Sequence, residues 1–487
     1  MKKAICLLVM LALGMGFFGC GKNPEPETTT EPEFVMHASD GTFQVGYARR
    51  DITPRASTPL SGYGNNERRM STEILRRCYA TAVAMRDADG KPILLMSLDT
   101  QGMYAGLRQL TTLLSAQLGI PKEQIICSAT HTHAAPDVQS SMPVIDSYLN
   151  EIFLPQTVAA AKAAFIDLQT AQLSIGSIET EGLNFVRHYT YTDEAGNAQY
   201  FGDSFGTSTQ EGDVRPVRDP DTTLYVMKIQ REGRKDIIFT NWRAHPHFES
   251  RVNTTNVSSD YVGAVREYLE MSIDCEFVFY QGAAGNINPL SSILAKRHTT
   301  DMSQYASEMT NFILQCLENN MEPLPTGPIQ TRQTMLEGKV NHDTDIYYYD
   351  ATAVMAVWQA TNDQKQAIAA GGASGIRSSY QANAIRSRKD MGETEDIELN
   401  AFAIGDHFAI VSAPNELFDS LSVMTEVGSP YEWTMCFGYA NNGLGYMPDA
   451  ATWEYTSYET DVTRFVKGTG EQIVDCYLSM LNEIYGE

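Results

Sequence analysis

Short unbroken apolar runs alternate with stretches of helical spacing from residue 46 to the end of the chain. KPILLMSLD (91–99) has the continuous apolar character of a buried strand, and GLRQLTTLLSAQLG (106–119) has helical spacing before a glycine stop. EQIICSATH then reads as a second strand, and VIDSYLNEIFLPQTVAAAKAAF as a helix with an internal proline. TLYVMKIQ, KDIIFTNWRAH and CEFVFYQG read as further strands, with helices predicted at SDYVGAVREYLEM and from about Asp301 to Leu317. This rhythm predicts an α/β fold in which mixed sheets are flanked by helices. EDIELNAFAIGDHFAIVSAPNE (395–416) predicts a hairpin turning at Gly405-Asp406, followed by a short helix, the strand YEWTMCFGYANN and a closing helix near 468–484. No Pro/Gly/Ser linker interrupts the region, so a single large domain is expected over 43–487.

The leading residues lack this rhythm. Residues 1–20 join a basic MKK to an apolar run and FFGC, which resembles a bacterial lipoprotein signal with lipid attachment at Cys20. The apolar run is short for the roughly 20 residues that a spanning helix needs. Residues 21–42 are polar and proline-rich, with too little apolar surface to order themselves, and are expected to form a disordered tether. The expected location is the bacterial cell envelope, with the chain lipid-anchored at the outer membrane or periplasmic face.

Composition narrows the functional classes. With 43% hydrophobic and 20% charged residues the 487-residue chain is globular in character, and its formal charge of -24 repels phosphate, which argues against a nucleic-acid partner. The membrane partner is expected through the lipid anchor alone. Six cysteines beyond Cys20 are scattered, several within apolar runs, and no CxxC occurs, so buried thiols are expected rather than a thiolate zinc site.

Candidate chemistry gathers where apolar runs end. SATHTHAAPD places His131 and His133 one residue apart, on the same face if the run is a strand. NWRAHPH supplies His245 and His247, SAPNE supplies Glu416, and YANNGLGY supplies Tyr446. Each alone also fits a polar strand end, a cap before Pro246, a helix start or a packed aromatic. In open α/β sheets, loops at the C-terminal ends of strands converge on one crevice, so the four together predict a site there.

Several stretches resemble the neutral, non-lysosomal ceramidases in that family's order: VGYARRDITPRASTPLSGYG, SATHTHAAPD, NWRAHPHFESRVNTTNVSSDYVGAV, YQGAAGNINP, IGDHFAIVSAPNELF and GYANNGLGYMPDAATWEYTSYE. The resemblance implies a catalytic domain over 43–487 holding one Zn²⁺ on His131, His245, Glu416 and Tyr446, with the site at strand C-terminal ends. Imidazole nitrogen and carboxylate and phenol oxygen suit Zn²⁺, and a catalytic site keeps an open position whose water has its pKa lowered from 15.7 to about 7. His133 is then expected to stabilise an oxyanion or shuttle a proton. The family pattern also implies that Arg187 clamps a polar substrate group, and that Asp99 and Asp260 orient the ligand imidazoles.

Two departures stand out. The family carries Gly-Asp-x-Ser-Pro where this chain has GNINP, so Asn286 and Asn288 replace an aspartate and a serine. A serine nucleophile is thereby excluded from this loop, while the Asn288 amide is expected to donate to a substrate oxygen. A counterpart of the family's C-terminal β-sandwich domain is not expected here, since few residues follow the last motif. The function implied is a zinc amidohydrolase that cleaves an N-acyl, ceramide-like amide to fatty acid and amine through metal-bound hydroxide. The alternatives are a zinc hydrolase acting on a glycan or small polar amide, and a non-catalytic ligand-binding envelope lipoprotein.

Overall fold

Thirty-odd secondary-structure elements follow one another along the chain in a computed structural model that describes residues 34–36, 38–63, 69–104, 107, 109–204, 206, 208, 210–252, 254–294 and 301–486. Chain contacts separate a leading unit, Met1–Val35, from Met36–Glu487, which holds every element described below. The proposed lipid-attachment residue, Cys20, and most of the tether lie outside the described residues. Among the described residues no helix is long and apolar enough to cross a membrane.

The apolar runs form one mixed sheet in the order Cys275–Gln281, Asp236–Trp242, Thr223–Arg231, Gln169–Glu179, Gln44–Asp51, Tyr79–Arg86, Pro92–Leu98 and Ile125–Ala129, with Glu322–Leu324 added to Gln169–Glu179. The outermost pair at each end is parallel, and the remaining neighbours are antiparallel. At its middle the sheet is joined by only two register pairs, Gln44 with Thr170 and Val45 with Gln169. It bends at this narrow junction, so the two halves face each other: Tyr47 donates its hydroxyl to Phe277 O at 2.9 Å, and Ser97 donates to Phe279 O at 2.5 Å.

A second sheet, Ile329–Lys339, Thr394–Ile404, Phe408–Ser412 and Trp433–Phe437, fills the remaining space. Its Phe402, Ile410 and Phe437 share one buried cluster with Val83, Ile126 and Phe239 of the first sheet. Tyr280 stacks on Phe437 with ring centroids 4.5 Å apart and on Phe239 at 4.6 Å. Such pairs add roughly 0.5–1.5 kcal/mol beyond their area burial. The predicted hairpin is present, with Ile404 opposite Phe408 and Gly405 at φ +53°, where the missing Cβ removes the steric penalty.

Residues after Trp433–Phe437 stitch the far edges of the first sheet together. Gly438 N donates to Gln281 O at 3.0 Å, Ala129 N to Tyr439 O at 3.1 Å, and Asn441 N to Cys127 O at 2.8 Å. The loops beyond Ile125–Ala129 and Asp236–Trp242, at opposite ends of the pairing order, are thereby brought side by side.

Helices Asp260–Ser272 and Met302–Asn319 cover one face, and Thr469–Ile484 covers the second sheet. The helix predicted around Pro155 is broken into Pro143–Tyr148, a π-turn at Leu149–Phe153 and Leu154–Ile166. Proline lacks the N–H that would bond four residues back, and the wider turn absorbs that loss. The six described cysteines are free and five of them are buried, as the scattered spacing predicts.

Candidate metal centre

The two histidine candidates sit just beyond strands, and the other two lie on short strands of their own. His131 follows Ile125–Ala129, and His245 follows Asp236–Trp242. Glu416 lies within Asn415–Leu417, which pairs in parallel with Gly445–Met447 so that Glu416 is the register partner of Tyr446. Register partners project to the same face of a sheet, and both side chains border the same cleft.

The donors converge. His131 Nε2 lies 3.4 Å from Glu416 Oε2, and His245 Nε2 lies 3.6 Å from the same oxygen. His133 Nε2 is 3.2 Å from His131 Nε2, and one nitrogen from each of His131, His133 and His245 lies within 4.8 Å of the others, so the three could hold a metal ion. All four residues are buried. Among the described residues, His245 Nε2 and Glu416 Oε2 have no hydrogen-bond partner of ordinary geometry. Ligands about 2.0–2.2 Å from a tetrahedral zinc stand roughly 3.3–3.6 Å from one another, which matches the imidazole-to-carboxylate separations found. Burial opposes the charge of Glu416, and its carboxyl is held well below the usual range where the two imidazoles carry protons toward it.

Two backbone carbonyls set the histidine tautomers. His131 Nδ1 lies 2.6 Å from Gln101 O and His245 Nδ1 lies 3.0 Å from Ile287 O, so each Nδ1–H donates outward and each Nε2 lone pair faces the centre. This corrects the expectation for Asp99 and Asp260. Asp99 accepts from Tyr79 N at 2.9 Å and pairs with Arg266 at 3.0 Å. Asp260 accepts from Glu249 N and Tyr261 N, each at 2.8 Å, and so fixes the chain just after His247. Backbone groups took the places that a residue pattern assigns to carboxylates.

His133 differs from its neighbours. Its Nδ1 is buried without a hydrogen-bond partner, so no carbonyl fixes its tautomer. Burial and then the surrounding imidazoles push it well below the ordinary histidine value, which keeps it neutral. Gly62, at φ +120°, lies against this ring, and a Cβ there would stand 2.7 Å from the His133 side chain.

Arg187 is buried, and its guanidinium is committed to Glu459 at 2.6 Å while lying 5.4 Å from the centre of the Tyr446 ring. Glu459 also takes His188 Nε2 at 2.7 Å. The arginine expected to clamp a polar substrate group is thus also the counter-charge of Glu459, beside the Tyr446 ring. Burial, then the charge of Glu416, raises the Tyr446 phenol well above its usual value.

The two asparagines of GNINP are also engaged. Asn286 donates to Asp419 Oδ1 at 2.8 Å and accepts from Asp419 N at 3.1 Å, pinning the loop to helix Asp419–Gly428. Asn288 donates to Asp203 O at 2.6 Å, and its Oδ1 lies 3.2 Å from His247 Nε2. Gly285 in the same loop lets the backbone approach Glu416, because a Cβ there would stand 2.3 Å from Glu416 O. The motif pattern did not single out Glu459, His188 or Gln101; for the carbonyl partners no side-chain signal exists.

No curated protein matches the chain. Its fold resembles that of a neutral ceramidase from Pseudomonas aeruginosa, with a TM-score of 0.67 and 15% identity over 92% of this chain and 75% of that one. It likewise resembles a ceramidase complexed with C2, with a TM-score of 0.66 and 15% identity over 90% and 75% of the two chains. At such identity the likeness is one of fold. Residues 43–321 match the family profile described as neutral/alkaline non-lysosomal ceramidase, N-terminal, and with over half its length inside that match the chain belongs to the neutral/alkaline non-lysosomal ceramidase family.

Proposed function

We propose that the chain is a zinc-dependent amidohydrolase that cleaves the N-acyl bond of a ceramide-like lipid amide, giving a fatty acid and an amine. The convergence of two imidazole nitrogens and one carboxylate oxygen, buried and 3.4 and 3.6 Å apart, carries this reading. In it, His131, His245, Glu416 and Tyr446 hold one zinc per chain. When bound, the ion polarises the amide carbonyl and lowers the pKa of water beside it. His133, whose Nε2 lies 3.2 Å from His131 Nε2, stands beside the site, where it donates to the oxyanion of the tetrahedral intermediate or passes a proton to the departing amine. The Arg187–Glu459 pair keeps Tyr446 in place at the wall of the cleft. Asn288, with an amide hydrogen given to Asp203 O, orients its loop and His247.

Attachment of a lipid at Cys20 is part of the same proposal, and it places the enzyme at the envelope surface where lipid amides reside. Labelling with a fatty-acid probe that is lost in Cys20→Ala tests it. For the catalytic reading, elemental analysis of purified protein should give about one zinc per chain, with N-acylsphingosine hydrolysed. His131→Ala should lose both. Full zinc content without hydrolysis of any lipid amide would end the amidase reading.

A further inference from the structure

The cleft beside Glu416 and Tyr446 has a volume of about 450 Å³, and its wall includes Arg388, Arg464, Tyr380 and Tyr458. Arg388 ends helix Ser379–Arg388 and is only 2% exposed. It donates Nη1 to Thr463 O at 2.6 Å and Nη2 to Thr344 Oγ1 at 2.8 Å, both neutral acceptors. Its Nε is buried without a hydrogen-bond partner. The acids whose charge reaches it, Asp345 and Asp461, are engaged elsewhere, Asp345 with His342 at 2.9 Å and Asp461 with Arg377. Arg464, about a third exposed, pairs with Glu395 at 3.0 Å and brings a second guanidinium to the same cleft.

A guanidinium taken out of water without a carboxylate is costly, and an aliphatic chain in the cleft would leave that cost standing. An oxyanion would remove it, since guanidinium and carboxylate or phosphate match in charge and donor geometry. We propose that the cleft is an anion subsite, and that the substrate is an amide bearing a carboxylate or phosphate that Arg388 receives while the scissile bond lies at Glu416. This rests on the hydrolase reading for the scissile bond, and on Arg388 alone for the anion.

The test compares N-octanoyl-serine with its methyl ester, and with N-octanoyl-O-phosphoserine, on the zinc-loaded full chain. The expected result is a kcat/KM at least tenfold higher for an anionic member than for the ester, expressed in KM, with the better anion naming the source. Arg388→Gln should bring that ratio near one, and Arg388→Lys should restore part of it. Calorimetric binding of N-octanoyl-serine to His131→Ala gives a readout without turnover, and adding Arg388→Gln should weaken it at least tenfold. Equal or better use of the ester by the unaltered protein overturns the subsite, and that comparison needs no variant to fold. Binding indifferent to Arg388→Gln in a folded protein overturns it as well. Binding that depends on Arg388, with no hydrolysis of any of the three compounds, would sink the amidase reading and leave the subsite standing.

Discussion

His131 and Tyr439 stack with ring centroids 4.0 Å apart and planes 30° from parallel, and both occupy left-handed backbone, at φ +67° and +57°. Two non-glycine residues in that region cost of order 1–3 kcal/mol each, and they persist only where surroundings over-determine them. Here the surroundings are hydrogen bonds: His131 N donates to Thr100 O at 2.9 Å, and Tyr439 N donates to Asn415 O at 3.1 Å. The strain lies at the centre because His131 must leave its strand sharply to turn Nε2 toward Glu416.

The stack predicts a split between two substitutions at Tyr439. Tyr439→Leu removes the ring that holds the His131 plane, and zinc affinity measured by chelator competition should fall ten- to hundred-fold, the range typical when support behind a ligand is lost. Tyr439→Phe keeps the ring and discards a buried hydroxyl that has no hydrogen-bond partner. Stability to urea should then be unchanged or rise by about 1 kcal/mol, with zinc affinity unaltered.

A second split separates the two histidines of THTH. His131→Ala should lose the metal, because it deletes a nitrogen whose Nδ1 is anchored on Gln101 O. His133→Ala should retain most of the metal and lose hydrolysis by about 10²–10⁴-fold, the usual worth of a positioned proton-transfer group. Equal loss of metal in both variants, read by elemental analysis, would move His133 from proton handling to ligation.

These distinctions show what the residue pattern could and could not convey. The strands were legible because a strand covered on both faces must be apolar throughout, as in Ile93–Met96 and Phe277–Tyr280. That His131, His245 and Glu416 come together was legible because each follows or ends an apolar run, and loops at such ends meet. The bend at Gln44 and Val45 that brings the sheet's far edges together left no trace in periodicity, since a two-residue junction looks like any strand start. Nor could spacing reveal that Gln101 O and Ile287 O orient the imidazoles, because a carbonyl belongs to every residue. Asp99 looked like such a partner until Arg266, on helix Asp260–Ser272, proved to be its counter-charge.

Gly285 offers a prediction about backbone approach. Its loop donates Gly285 N to Leu417 O at 2.8 Å, and an added Cβ would meet Glu416 O at 2.3 Å. Gly285→Ala must therefore push the Glu416 strand away from the imidazoles. Thermal unfolding should show a loss of roughly 1–3 kcal/mol, the range for overpacking, and zinc affinity should fall with it. An alanine variant with native zinc affinity would mean that the loop yields instead of the strand.

Asp260 makes stability depend on pH in a direction opposite to the common one. Full burial pushes its carboxyl from 3.8 up to about 7, against the backbone N–H groups of Tyr261 and Glu249 that favour its charge. A group raised in the folded state contributes stability that is fully present below its unfolded value and is lost as pH rises through the folded one. Between about pH 4 and 7 the unfolded chain releases this proton while the folded chain keeps it, so each pH unit removes up to about 1.4 kcal/mol. Above that window both states are ionised and the contribution is flat. Asp260→Asn cannot titrate, and one of its amide hydrogens would face Glu249 N, so it should be less stable at pH 4. The difference between the two proteins, taken from urea midpoints at constant zinc, should shrink steadily from pH 4 to pH 7 and then level off. A difference that stays constant across that range would place the Asp260 proton elsewhere.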